Sequence, residues 1–170
     1  LKNLINYGIS FTGQTNYFRW WSATNFFNVF KNEYTGDGAI GNFSNSMWSY
    51  SFNSQNSFKA GKGYSFELNG YYNSKSVYGT AIEKGYYAIS AAVQKMILKD
   101  KGSIKLLAND IFQGSQYRHI TQYQNIDMES HINVDSRRLM LSFSYRFGNS
   151  FQTRERKSSN EEEQNRAKGN

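Results

Sequence analysis

Along most of this chain apolar and polar residues alternate one by one, and the alternation restarts in segment after segment. Period two is the mark of a β-strand, whose successive side chains leave opposite faces of a sheet. The last repeat is the clearest: Leu139, Leu141, Phe143, Tyr145 and Phe147 share one face, while Ser142, Ser144 and Arg146 share the other. Earlier segments obey the same rule. Ile5, Tyr7, Ile9 and Phe11 oppose Asn6, Gly8 and Ser10; Trp48, Tyr50 and Phe52 oppose Ser49, Ser51 and Asn53. Tyr64, Phe66, Leu68, Gly70 and Tyr72 oppose Ser65, Glu67 and Asn69; Tyr87, Ile89, Ala91 and Val93 oppose Ala88, Ser90, Ala92 and Gln94.

Only Ala81 to Leu98 can be drawn comfortably as a helix, and its Tyr86-Tyr87 start and clean alternation favour a strand. Strands are therefore expected at about 1–11, 17–34, 40–57, 63–78, 82–98, 103–123 and 128–148. The breaks at Gly13-Gln14-Thr15, Gly36-Asp37-Gly38, Lys59-Ala60-Gly61-Lys62, Gly79-Thr80 and Lys99-Asp100-Lys101-Gly102 are short, which predicts antiparallel hairpins. The fold class is thus all-β, an antiparallel meander of about seven long strands. Ser103 to Tyr123 and its return from Met128 to Phe147 are longer than a bilayer requires. Their outer halves, Tyr117 to Gln122 and Glu129 to His131, are polar and are expected to project as a hairpin. After Gly148 the alternation stops. Residues 149–170, with Arg154 to Lys157 and Glu161 to Glu163, are expected to form a polar, disordered tail behind a barrel segment at 1–148.

Composition decides what kind of sheet this is. Aromatic residues make up 17% of the chain, with 13 Tyr, 13 Phe and 3 Trp, which suits strands with one greasy and one wet face. There is no proline to interrupt a backbone ladder. No run approaches the roughly 20 apolar residues of a membrane-spanning helix, and mean hydropathy is −0.72. A spanning strand needs only about 9–11 residues with every second one apolar, so the alternation is compatible with a transmembrane β-barrel. The absence of cysteine excludes disulfides and thiolate metal sites. The net charge of +7 is scattered singly along the chain, and no nucleic-acid partner is expected. The opening Leu1-Lys2-Asn3-Leu4-Ile5-Asn6 lacks an initiator Met, a basic region and a signal-type apolar stretch, so a fragment of a longer precursor is expected.

Three passages carry a resemblance. Lys105-Leu106-Leu107-Ala108-Asn109-Asp110-Ile111-Phe112 resembles a penultimate barrel strand, and Leu141-Ser142-Phe143-Ser144-Tyr145-Arg146-Phe147-Gly148 resembles a closing strand. The third is the tail of Arg/Lys followed by Glu-Glu-Glu. Together they resemble the C-terminus of TonB-dependent-receptor-type outer-membrane proteins, the barrel family found behind a carboxypeptidase-regulatory-like domain. The resemblance implies a barrel of about 22 strands around a plug, in the cell outer membrane, taking up a nutrient with energy delivered through TonB. The implied partners are outer-membrane lipid, upstream barrel strands and the plug of the same protein, TonB, and an unidentified nutrient. It implies that the last strand descends to the periplasm, so that turns near 13, 60 and 100 face the periplasm and turns near 37, 79 and 126 face outward. Tyr145 and Phe147 would then serve as the assembly signal, although the chain continues past Gly148.

On this reading Tyr87, Ile89, Val93, Leu139, Leu141, Phe143, Tyr145 and Phe147 face lipid, and Glu67, Ser142, Ser144 and Arg146 face the lumen. No enzyme, metal or cofactor is expected. Gly36-Asp37-Gly38-Ala39-Ile40-Gly41 matches the dinucleotide fingerprint G-x-G-x-x-G, but a Trp-rich strand follows where a helix is needed, so it reads as a hairpin. His119 and His131 are the only histidines and could meet across the last hairpin, yet too few further ligands accompany them to make a metal site. Glu67, Asp110, Arg138 and Arg146 lack the spacing of an acid/base pair and read as lumen-facing charges. Two other architectures compete: a small structural or adhesive outer-membrane barrel, and a soluble carbohydrate-binding β-sandwich displaying Trp20, Trp21 and Trp48. An outer-membrane protease or phospholipase is a further alternative.

Overall fold

A computed structural model describes residues 3–38, 41–123 and 125–147. Eleven antiparallel strands run in chain order: β1 (Asn3–Phe18), β2 (Trp21–Gly38), β3 (Gly41–Gly61), β4 (Tyr64–Asn73), β5 (Ser76–Tyr78), β6 (Ala81–Glu83), β7 (Tyr86–Ile97), β8 (Gly102–Asn109), β9 (Gln116–Tyr123), β10 (Ile126–Asn133) and β11 (Arg138–Tyr145). Seven of them form the main sheet, in the order β1-β2-β3-β4-β7-β8-β11. The other four form a second sheet, β10-β9-β6-β5.

The seven expected strands are all present, but the last four are each broken in two. The lower halves β4, β7, β8 and β11 continue the main sheet, and the upper halves β5, β6, β9 and β10 pair in the same order above it. The breaks fall at residues 74–75, 84–85, 110–115 and 134–137. The first has a visible cause. Ser74 leaves the ladder and its Oγ accepts the Tyr50 N–H at 2.8 Å, while Ser49 Oγ donates to the Lys75 carbonyl at 3.0 Å. Asn45 Nδ2 donates to the Gly79 carbonyl at 2.9 Å, and the Tyr34 and Tyr78 rings meet edge to face at 5.6 Å. β5 is therefore folded over the polar face of β2 and β3.

Expected boundaries are corrected in several places: Gly36, Asp37 and Gly38 still pair with Phe43, Asn42 and Gly41 in the β2–β3 ladder, and β3 continues through Gly61. β1 runs straight through Gly13-Gln14-Thr15, which pair with Asn25, Thr24 and Ala23, and the chain turns at Arg19-Trp20 instead. The passage expected as a penultimate strand ends at Asn109, and Asp110-Ile111-Phe112 belongs to the irregular connection that follows. The described residues of the G-x-G-x-x-G passage belong to the β2–β3 ladder, with Gly36 opposite Phe43 and Gly38 opposite Gly41. The expected tail at 149–170, like Gly148, lies outside the described residues.

The two ends of the main sheet differ. At one end the connections are short, at 19–20, 62–63 and 98–101, where Lys62, Leu98, Lys99 and Asp100 adopt positive φ. At the other end the second sheet extends the structure. Short turns at one end and long extensions at the other match the periplasmic and extracellular sides of an outer-membrane barrel.

Candidate functional site

Cross-strand register sorts the side chains into two faces. One row reads Phe11, Phe27, Phe52, Tyr72 and Tyr87 across five strands, and another reads Phe58, Phe66, Val93, Leu106 and Leu141. Leu139 and Phe143 continue this face, and they are 73% and 64% exposed, as Leu141 is 72%. So continuous an apolar surface exceeds what a soluble monomer displays. Among the described residues the buried apolar set is only Ala23, Tyr34, Val77, Ala88 and Ala92. A sandwich needs a second layer over this face, so the soluble sandwich does not fit.

Aromatic clusters bound the apolar band. At the short-turn end Trp20, Trp21, Phe18 and Phe58 stack, with Trp21 and Phe58 centroids 5.8 Å apart and Trp20 and Phe18 5.4 Å apart. At the other end Tyr7 meets Trp48 edge to face at 5.7 Å. Trp48 and Phe58 lie ten residues apart on β3, about 33 Å along the strand. Tilted by roughly 40°, that spans about 25 Å, the height of a barrel's apolar band. Cations mark both limits. Lys31 pairs with Glu33 at 2.6 Å beside Tyr7, and Lys95 Nζ sits 3.8 Å from the Tyr64 ring centroid. Within the band, the polar residues of β2 and β3 satisfy one another: Trp21 Nε1 donates to Asn56 Oδ1 at 3.1 Å, Asn56 Nδ2 to Ser54 Oγ at 2.9 Å, and Ser54 Oγ to Asn25 Oδ1 at 2.7 Å. Such pairing limits the cost of polar groups in an apolar setting.

The opposite face is polar. Gln14, Ser22, Thr24, Gln55, Ser57, Glu67 and Asn69 line a groove of about 230 Å³ there. Lys105 Nζ reaches both Glu67 carboxylate oxygens, at 2.7 and 2.8 Å. Ser142 stands opposite Lys105, Ser144 opposite Ser103, and the Arg146 N–H donates to the Lys101 carbonyl at 2.8 Å. The register thus places Glu67, Ser142 and Ser144 on the polar face, with Tyr87, Ile89, Val93, Leu139, Leu141, Phe143 and Tyr145 on the apolar one. Phe147 lies beyond β11, packed edge to face on Tyr145 at 4.6 Å. Sequence reading passed over Lys105, although Ile104-Lys105-Leu106 carries the alternation that would have placed it.

Asp110 is not the lumen-facing charge expected. It is fully buried, and its carboxylate accepts hydrogen bonds from the Gly114 N–H at 2.9 Å, the Ser115 N–H at 3.1 Å and the Ser136 hydroxyl. Burial pushes its pKa up, but the hydrogen bonds from Ser136, Ser115 and Gly114 outweigh that and hold it below the ordinary aspartate value. Its role is to fix the connection between β8 and β9. His119 pairs with Ser130 and His131 with Arg118, so adjacent positions put the two imidazoles on opposite faces of their hairpin. No cluster of three or more potential metal ligands occurs among the described residues. Arg138 opens β11 opposite Asn109, exposed.

No curated protein and no solved structure matches this chain. A family model described as "Outer membrane protein beta-barrel family" matches residues 1–145, the whole of the two-faced sheet and its extension. An all-β antiparallel wall, apolar on one side and polar on the other, with aromatic belts at bilayer spacing, fits that description, and the chain belongs to the outer membrane protein beta-barrel family of the cell outer membrane.

Proposed function

We propose that this chain is a wall segment of a larger receptor-type barrel that imports a nutrient through TonB. The apolar face contacts outer-membrane lipid and the polar face, with Glu67, Lys105, Ser142, Ser144 and Arg146, lines the lumen. The observation that carries this reading is the open main sheet: among the described residues β1 and β11 do not pair, and each leaves one edge free. In lipid every backbone N–H and C=O must be paired, so the edges require further strands. Seven is also an odd number, whereas bacterial single-chain barrels are even. Additional strands of the same protein supply the pairing, a plug fills the lumen, and the chemistry is passage rather than catalysis.

Two measurements test this on the full-length protein. With no native cysteine in this chain, Ile9→Cys and Leu141→Cys place single thiols on the two edge strands. In the larger barrel they do not cross-link with each other; efficient disulfide formation would show that β1 and β11 close a small barrel. Site-specific photo-cross-linking to TonB in cells tests energy coupling. Absence of any TonB adduct from a protein correctly inserted in the outer membrane would sink the import reading.

A further inference from the structure

Tyr87 belongs to two hollows at once. On the apolar face it lines a groove of about 300 Å³ with Phe52, Gly70, Tyr72 and Ile89. Where the main sheet gives way to the second, it also lines a polar pocket of about 350 Å³ that holds Lys84, Arg118 and His131. The contact between the two is close. Gly114, part of the pocket, packs so tightly on Tyr87 that an added Cβ would lie 2.8 Å from ring atoms Cε2 and Cζ.

We infer that groove and pocket form one binding site for an anionic membrane lipid, with an acyl chain in the groove and its phosphate among Lys84, Arg118 and His131. The inference rests on the reading of the apolar face as the lipid face. An aromatic ring with a hydroxyl tip suits the boundary between hydrocarbon and headgroup, and Tyr87 stands where the apolar groove meets the polar pocket. Lys and Arg donate strong charge-assisted hydrogen bonds to phosphate oxygens. A soluble phosphate would use only the pocket and leave the adjoining groove of rings and aliphatic carbon without an occupant. The pocket lies at the end of the sheet that carries the long extensions, hence at the outer leaflet.

Glu129 sets the strength of the site. Its Oε1 lies 3.6 Å from Arg118 Nε and 3.1 Å from His131 Nε2, so it competes with an incoming phosphate for both. Lys84 makes no ion pair among the described residues, and its backbone N–H is anchored by the Arg118 carbonyl at 2.8 Å. The lipid therefore meets one cation directly and displaces a carboxylate from the second.

The test uses the full-length protein in phosphatidylcholine nanodiscs containing a minority of phosphatidylglycerol, with native mass spectrometry of the lipids retained after mild delipidation. The wild type retains phosphatidylglycerol in preference to phosphatidylcholine. Lys84→Gln and Arg118→Gln each lower that retention about fivefold, whereas Glu129→Gln raises it. Gly70→Val fills the groove: its Cβ meets only the Ala88 carbonyl at 3.5 Å and Ile89 Cγ1 at 3.7 Å, ordinary contacts, so the barrel folds while retention falls. Equal retention of both lipids, or indifference to the Lys84 and Arg118 substitutions, overturns the inference. So does displacement of the lipid by inorganic phosphate alone with Gly70→Val without effect, which identifies a soluble-anion site. A protein that fails to embed in the nanodisc refutes the lipid-face reading itself, an outcome distinct from an embedded protein that retains nothing.

Discussion

Lys105 on β8 grips both oxygens of Glu67 on β4 by reaching diagonally across β7, from its place opposite Gln94 toward the small, 7% exposed Ala92 that stands opposite Glu67. The pairing ties three strands of the polar face together and depends on the small residue between them. Both charged side chains are about one-third exposed, so solvent screens the pair and its worth is modest, about 0.2–1 kcal/mol. A double-mutant cycle of Glu67→Gln and Lys105→Met, read by urea unfolding in detergent, is expected to give a coupling in that range that fades in molar salt. Ala92→Leu pushes the partners apart, abolishing the coupling and destabilising the barrel by about 1–3 kcal/mol. A coupling unchanged by Ala92→Leu would mean that the pair forms by another route.

Asp110 makes the connection between β8 and β9 sensitive to acid. Its folded-state pKa is lowered from the ordinary 3.8. The unfolded chain therefore takes up the proton first, and the stabilisation is fully present above about pH 4 and is lost as pH falls through the folded value. Asp110→Asn replaces an acceptor-only carboxylate with a group that presents N–H to donors. Its cost is expected at about 1–3 kcal/mol near neutrality, shrinking below pH 4. Proteolysis of the exposed second sheet across pH checks this. Equal sensitivity of wild type and variant at neutral pH would dismiss the role.

Gly114 is required for contact rather than for flexibility. A Cβ there would lie 2.5 Å from the Tyr87 carbonyl oxygen and 2.8 Å from its ring. The Gly114 carbonyl in turn accepts the Tyr87 N–H at 3.2 Å, stitching the connection to β7. Gly114→Ala is expected to free the second sheet, raising amide exchange at Tyr87 and in β9 while β1 to β3 keep their protection. Uniform loss of protection would instead indicate collapse of the whole barrel.

The alternation made the main sheet legible because each of its seven strands is covered differently on its two faces, so every second residue reports its side. The breaks were not legible for the opposite reason. Ser74, Gly85 and Asp110 occupy positions that a continuous strand also tolerates, and what bends the chain there is tertiary: Tyr50 and Ser49 pulling on Ser74 and Lys75, and Ser136 closing on Asp110 from 26 residues away. Gly13-Gln14-Thr15 misled because glycine beside polar residues imitates a turn. In the sheet, a Cβ at Gly13 would meet nothing within 4 Å, so the glycine answers no local steric demand. Conversely, the turn at Arg19-Trp20 has no glycine, asparagine or aspartate to announce it. On the polar face, Glu67 was legible from alternation, but its partner lay 38 residues away and only the register of β4, β7 and β8 joins them.

The three tryptophans report membrane depth directly, because the chain carries no others. Trp20 and Trp21 stack with Phe18 and Phe58 at the short-turn end, and Trp48 packs on Tyr7 at the other. Separated by roughly 25 Å once strand tilt is allowed for, they should occupy the two interfaces, where an amphipathic ring is most stable. In proteins retaining only the Trp20–Trp21 pair or only Trp48, lipids carrying a nitroxide near the headgroup should quench fluorescence more strongly than lipids carrying it at the end of the acyl chain. A water-soluble quencher should reach both sets in part. If mid-bilayer nitroxides quench Trp48 best, the band has been placed at the wrong height, and the pocket around Lys84 and Arg118 would lie too deep in the membrane to meet a headgroup.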